Sequence, residues 1–161
     1  MIMYHGTSSS SSKRIQQEGF QFNSATLSID NQGFSDFINA IFISPHKEIA
    51  HIYETNSKSV SVKKGNPVII ELELISNNIF DLTKKENQQI LINYIKQGNS
   101  INDFLKENSY DGIRQIHKND FGRIRLQYAI TNTNVLKIIN IPKKSTSYMS
   151  LYNDAMLPDW E

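Results

Sequence analysis

The chain has 161 residues, 39% of them hydrophobic and 10% aromatic, which is long enough to bury one core and too apolar for a disordered segment. Seventeen basic against sixteen acidic side chains leave a net charge of +1, so no global attraction to nucleic acid or to membrane surfaces is expected. There is no cysteine, which excludes a disulfide framework, a thiol nucleophile and a thiolate metal site. The first residues lack the charged and apolar blocks of a secretory leader, and no apolar run reaches the roughly 18 residues of a membrane span. A cytoplasmic place of action without a membrane partner fits, and a toxin delivered into another cell by dedicated machinery would carry the same features.

In chain order, Met1–Tyr4 reads as a short strand that runs into His5, Gly6 and Thr7 and then into a string of serines. Ser12 can cap a helix over Lys13–Glu18, with Gly19 as its stop. Residues 21–39 are polar and carry Gly33 and several Asn, which predicts a long surface loop of the kind that forms lids. Its Phe34 and Phe37 are either target-recognition aromatics or a small cluster packed on the core. Ala40–Ile43 is a short apolar strand. Ser44 and Pro45 then open a helix whose Ile49, Ile52 and Tyr53 share a buried face.

Lys58–Lys63, the turn at Gly65, Asn66 and Pro67, and Val68–Ile75 read as strand, turn and strand. Thr83-Lys84-Lys85-Glu86 has the form of a capping box opening a helix toward Gln97, closed by Gly98. Ser100 precedes a second helix, Ile101–Asn108. Arg123–Ile130 and Val135–Ile141 read as the last strand pair, joined across Thr131–Asn134, and the tail from Pro142 to Glu161 is polar and unperiodic. Strands outnumber helices and the helices cluster between strand groups, which predicts an α+β fold with mostly antiparallel pairing.

Few residues stand out as carriers of chemistry. His46 and His51 lie in "HKEIAH", but their i, i+5 spacing sets the two imidazoles apart around a helix, unlike a zinc-protease pair, and two surface histidines are expected. His117 sits among Arg114, Lys118, Arg123 and Arg125, read as a solvated basic loop with an anion-binding surface as the alternative. His5 differs because Gly6 beside it lets a ligand approach the backbone closely and Thr7 adds a small donor.

The long-range pattern around His5 resembles the ADP-ribosyltransferase superfamily in its diphtheria-toxin and poly(ADP-ribose)-polymerase-like branch, as a small bacterial or phage toxin-type member. "YHGT" (4–7) and the following "EGF" (18–20) are similar to the first motif of the family, and "AIFISPHKEIAHIY" (40–53) to the second. "VIIELELISNNIFDLT" (68–83) and "FLKENSYDGI" (104–113) resemble its connecting segments, and "RLQYAITNTNVLKI" (125–138) its last motif. The resemblance implies one domain over 1–141 with split antiparallel β-sheets and flanking helices, and a C-terminal tail over 142–161. It also implies NAD as substrate, no metal, and transfer of ADP-ribose to a protein or nucleic-acid acceptor with release of nicotinamide. Such toxins imply an antitoxin or immunity protein as a further partner.

Carried over residue by residue, His5 would bond the 2′-hydroxyl of the adenine-side ribose, and Gly6 would hold the nicotinamide carboxamide through its backbone, with Thr7 beside it. Phe42, where the family usually has tyrosine, and Tyr53 would sandwich the nicotinamide ring. Gln127 stands where the family has the catalytic glutamate. Cleavage of NAD passes through an oxocarbenium-like state, so the protein must grip the leaving group and place negative potential near the forming cation. Glutamine keeps the size and a hydrogen bond but not the charge. A weak natural variant, a degenerate binding domain and a form disarmed by replacement of the glutamate all match that residue. The alternatives in function are a non-catalytic NAD- or partner-binding module of the same fold and an RNA 2′-phosphotransferase-like enzyme, for which the Arg114–Arg125 stretch would supply basic groups.

Overall fold

A computed structural model of the chain describes residues 1–47, 67–118 and 124–142. The order along these residues is β1 (Ile2–Ser8), α1 (Ser9–Glu18), β2 (Asn23–Ser28), β3 (Ser35–Ile43), β4 (Pro67–Leu74), β5 (Ile79–Asp81), α2 (Lys85–Lys96), α3 (Ile101–Glu107), β6 (Gly112–Lys118), β7 (Ile124–Ile130) and β8 (Leu136–Asn140). The strands form a three-stranded sheet, β1-β4-β8, and a five-stranded sheet, β2-β3-β7-β6-β5. Every described pairing is antiparallel except β5 with β6. The α+β class with mostly antiparallel sheets is therefore as the composition of elements predicts.

The core follows from which strand faces are apolar. From Arg125 to Ile130, β7 is buried on both faces, as a central strand covered on two sides must be. Leu126, Tyr128 and Ile130 meet Met3, Leu72 and Leu74 of the smaller sheet, together with Ile41 and Ile43. On its opposite face Ala129 joins Phe42, Ile38 and Ile113 beneath Leu91, Ile92, Ile101, Phe104 and Leu105 of α2 and α3. Ile15 of α1 packs on Val68 and Ile70 of β4.

Several local expectations are corrected. Residues 23–28 and 35–43 are not a lid loop but a hairpin, in register from Asn23 opposite Ala40 to Ser28 opposite Ser35. Asp30 closes its turn by accepting the N–H groups of Gln32 and Phe34 at 3.0 and 2.9 Å, and Gly33 supplies a φ of 90°. Helix α1 starts at Ser9, and its cap lies four residues before the predicted one. Ser8 Oγ accepts the Ser11 N–H at 3.2 Å, while Ser12 lies inside the helix and donates back to the Ser9 carbonyl at 2.8 Å. Gly19 does end it, at φ 85° with its N–H on the Ile15 carbonyl.

The capping box at Thr83 does not form. Thr83 Oγ1 donates to Asp81 Oδ1 at 2.6 Å, and α2 begins at Lys85 with no side-chain cap on Lys84. Ser100 caps α3 as expected, accepting the Asp103 N–H at 3.1 Å. β7 and β8 are not partners: after a short 3-10 turn at Thr133–Val135 the chain leaves the larger sheet, and β8 pairs with β4. Asp111 pins this crossing, accepting Ser76 Oγ at 2.5 Å and Asn132 Nδ2 at 2.8 Å through its carboxylate and the Thr131 N–H at 2.9 Å through its carbonyl. The segment 48–66 and the tail 143–161, with their predicted helix, strand and turn, lie outside the described residues.

Candidate functional site

The two sheets meet where β1, β3 and β7 converge, and Ser44 is the pin. Its carbonyl accepts the Tyr4 N–H at 2.7 Å and its N–H donates to the Tyr4 carbonyl at 3.0 Å, so β1 is bridged to the end of β3. Its hydroxyl donates to the Leu126 carbonyl of β7 at 2.6 Å, and the residue is fully buried. Reading Ser44-Pro45 only as a helix start missed this role. A serine directly after a buried strand, needing a partner for its hydroxyl, was the available clue.

His5 lies one residue from that bridge, inside β1 rather than after it, because β1 continues through Gly6 and Thr7 to Ser8. Its Nδ1 is 2.8 Å from the Phe42 carbonyl across 37 residues of sequence. A carbonyl only accepts, so the proton is on Nδ1 and Nε2 is left as the acceptor. The ring is half-buried and meets Phe20 edge-on at a centroid distance of 5.4 Å. Burial pushes the imidazole below its ordinary range against a smaller opposing effect of the Phe42 carbonyl. His5 is thus a neutral imidazole of fixed tautomer at neutral pH.

Gly6 pairs with Ile69 in an extended strand, with no left-handed φ. Its use is positional. Tyr4 directs its N–H and C=O away from β4 toward Ser44, and alternation along a strand directs those of Gly6 to the same edge. Among the described residues no backbone group pairs with Gly6 there. Thr7, opposite Val68, shares the sheet face of Met3 and His5.

Phe42 is opposite Ala129 of β7 and 8% exposed. Gln127, two residues before Ala129, shares that face and stands level with Ser44, so Phe42 and Gln127 are diagonal neighbours. Gln127 is 1% exposed and opposite Gln115 of β6, whose Nε2 donates to Gln127 Oε1 at 2.5 Å. Gln127 Nε2 is buried with no hydrogen-bond partner among the described residues. The next residue on this face, Arg125, is 0% exposed, and its Nη1 donates to the Ile124 carbonyl at 2.9 Å. Along β6 and β7 this face changes from the apolar Ile113 and Ala129 to the polar Gln115, Gln127 and Arg125, where the cover of α2 and α3 gives way.

The structure therefore brings His5, Gly6, Phe42 and Gln127 to one junction and adds Ser44 and Gln115 to it. Gln115 is unreadable from sequence because most of β6 reads there as part of a solvated basic loop around His117. The basic stretch around His117 is not a solvated loop: Arg114, His117 and Lys118 belong to β6, and Arg125 is buried in β7. Tyr53, His51 and Arg123 lie outside the described residues, and His46 is half-buried just beyond Ser44. Phe34 is packed against the helix-covered core under Lys96, whereas Phe37 is 67% exposed. A cleft of about 250 Å³ between the Asp30–Gln32 turn and Lys85, Gln88 and Gln89 of α2 lies apart from the junction. Among the described residues no helix is long and apolar enough to cross a membrane. Comparison of the chain with protein-family models, with curated proteins and with solved structures gives no match.

Proposed function

We propose that the chain is an NAD-dependent mono-ADP-ribosyltransferase of the toxin or effector type, with its dinucleotide site at the junction of β1, β3 and β7. The observation that carries this reading is the His5–Phe42 hydrogen bond at 2.8 Å. It joins the first two motifs of the resemblance in space and fixes a bare imidazole nitrogen able to accept a ribose hydroxyl. The edge of β1 at Gly6 offers an N–H and a C=O side by side, the complement of a carboxamide, which carries one acceptor and one donor group. Phe42 and Gln127 share a sheet face, the ring for stacking and the amide for the reacting ribose.

The protein needs no nucleophile for this chemistry. The nicotinamide leaves a ribose already primed by its charge, and the chain has to hold the ring, orient the sugar and exclude competing geometries. A second reading, a non-catalytic module that binds NAD or a partner, is favoured by one observation: Gln127 carries no charge and its oxygen is already committed to Gln115.

Calorimetric titration with NAD tests the site before activity is asked of it. The parent should bind saturably at one site, and Gly6→Val should keep the strand, which suits a β-branched residue, while losing at least about 10-fold in affinity. Absence of NAD binding by the parent, or equal affinity in a folded Gly6→Val, would move the site elsewhere.

A further inference from the structure

The Gln115–Gln127 pair has a property that does not depend on which way its amides are turned. One hydrogen bond joins the two side chains across β6 and β7. When Gln115 gives the N–H, its own carbonyl and the Gln127 NH₂ group remain. With both amides turned, the Gln115 NH₂ group and the Gln127 carbonyl remain. In either state the pair offers one donor group and one acceptor on facing strands. The remaining end of Gln127 belongs to a residue 1% exposed and meets no partner among the described residues, and Gln115 beside it is half-buried. A buried amide end without a partner is costly, and a ligand that brings the missing half of the bond relieves that cost.

Such a pair complements a planar edge that itself carries one donor beside one acceptor. Nucleobases present that edge: an amine beside a ring nitrogen in adenine and cytosine, an N–H beside a carbonyl in guanine, thymine and uracil. Peptide and side-chain amides present it too, so charge decides between them. β6 and β7, which carry the two glutamines, contain Arg114, Lys118 and Arg125 and no acidic residue, in a chain whose net charge is only +1. That local excess suits the phosphates of a nucleic acid, which a protein acceptor lacks. We propose that the Gln115–Gln127 pair reads the edge of an unpaired nucleobase in a single-stranded nucleic acid, and that Gln115 is the residue that determines this specificity. The base is then the acceptor of the transfer, a role that rests on the transferase reading above. In that step a nitrogen of the base bonds to the anomeric carbon of the ribose as the bond to nicotinamide breaks. Nicotinamide leaves neutral with that electron pair, and the attacking nitrogen gives up its proton to water.

Fluorescence anisotropy of the full chain with labelled single-stranded DNA, in the absence of NAD, tests the pair directly. The probes are homopolymers of adenine, cytosine or thymine and an abasic strand of the same length, which keeps the phosphates and removes the bases. At least one base-bearing strand should bind the parent about 10-fold or more tightly than the abasic strand. Gln115→Met and Gln127→Met, which keep size and charge, should bring that ratio toward one and leave affinity for the abasic strand unchanged. A purely structural role would not separate the two strands. Circular dichroism checks the fold of each variant, and the parent ratio alone decides if a variant does not fold. Equal affinity of the parent for all four strands overturns the inference, as does a ratio that both folded variants preserve. Absence of strand binding overturns it too, and NAD binding by the same protein in calorimetry would then leave the dinucleotide site with a protein acceptor. Base preference without NAD binding would retain the reading pair and remove the transferase.

Discussion

Replacing His5 by leucine tests whether the imidazole is the neutral, hydrogen-bonded group that the junction requires. Leucine keeps much of the apolar body against Phe20 but removes the donor to the Phe42 carbonyl. The net loss of that bond is about 0.5–1.5 kcal/mol, and leaving the carbonyl unpaired raises the cost to about 1–3 kcal/mol at pH 7.5. The pH dependence is the sharper part. Burial lowers the folded-state pKa of His5 below its ordinary value of 6.5. Above that value both states are neutral and the group adds no pH dependence. As pH falls through 6.5 the unfolded chain takes up a proton that the folded chain refuses, so the parent loses stability down to the lowered pKa. The slope cannot exceed about 1.4 kcal/mol per pH unit from one group. The leucine variant lacks this term, so the gap between parent and variant should shrink on acidification. Urea unfolding of both proteins at several pH values between 5 and 8 measures it. A gap that stays constant or widens below pH 6.5 would mean that His5 is solvated or charged in the folded state.

Three further substitutions probe the packing around the site. An ideal Cβ on Gly112 would clash with the Ala129 carbonyl oxygen and sit 2.9 Å from Ile130 Cδ1. Gly112→Ala must therefore push β6 from β7 and should cost about 1–3 kcal/mol in urea unfolding, and a cost under about 0.5 kcal/mol would contradict the register. Phe34→Ser should lose about 1–3 kcal/mol through lost burial against α2. Phe37→Ser, on an exposed ring, should stay within about 0.5 kcal/mol, and equal losses would show that the hairpin packs as one body.

What could be read from the sequence divides along physical lines. β4 and β7 are dense apolar runs because both lie inside the fold, and such runs announce strands without any knowledge of partners. Gly19 and Ser100 act within one turn of their own helices, so local chemistry suffices to find them. The hairpin of β2 and β3 was hidden because β2 is an edge strand whose outer positions, Ser24, Thr26 and Ser28, are exposed and polar, leaving Leu27 as its one fully buried anchor. Ser12 reads as the cap because the first strand reads as ending at Tyr4, and the continuation of β1 to Ser8 moves the cap there. That β7 and β8 separate into different sheets is a matter of topology, since consecutive strands are partners only about two-thirds of the time. His5 was singled out as a lone residue beside a glycine, but its partner is a backbone carbonyl, which no side-chain pattern reveals. The pairing of Gln127 with Gln115 needed the register of β6 and β7.

Release of nicotinamide from NAD by the folded parent and by Gln127→Glu, measured side by side, addresses the proposed activity most directly. Glutamate can still accept from Gln115 Nε2 and would present a carboxylate where the reacting ribose is expected to lie. The parent should turn over slowly, and the glutamate variant should release nicotinamide at least about 100-fold faster, the order expected for one transition-state contact of this kind. A well-folded glutamate variant no faster than the parent would contradict a transferase site at this junction.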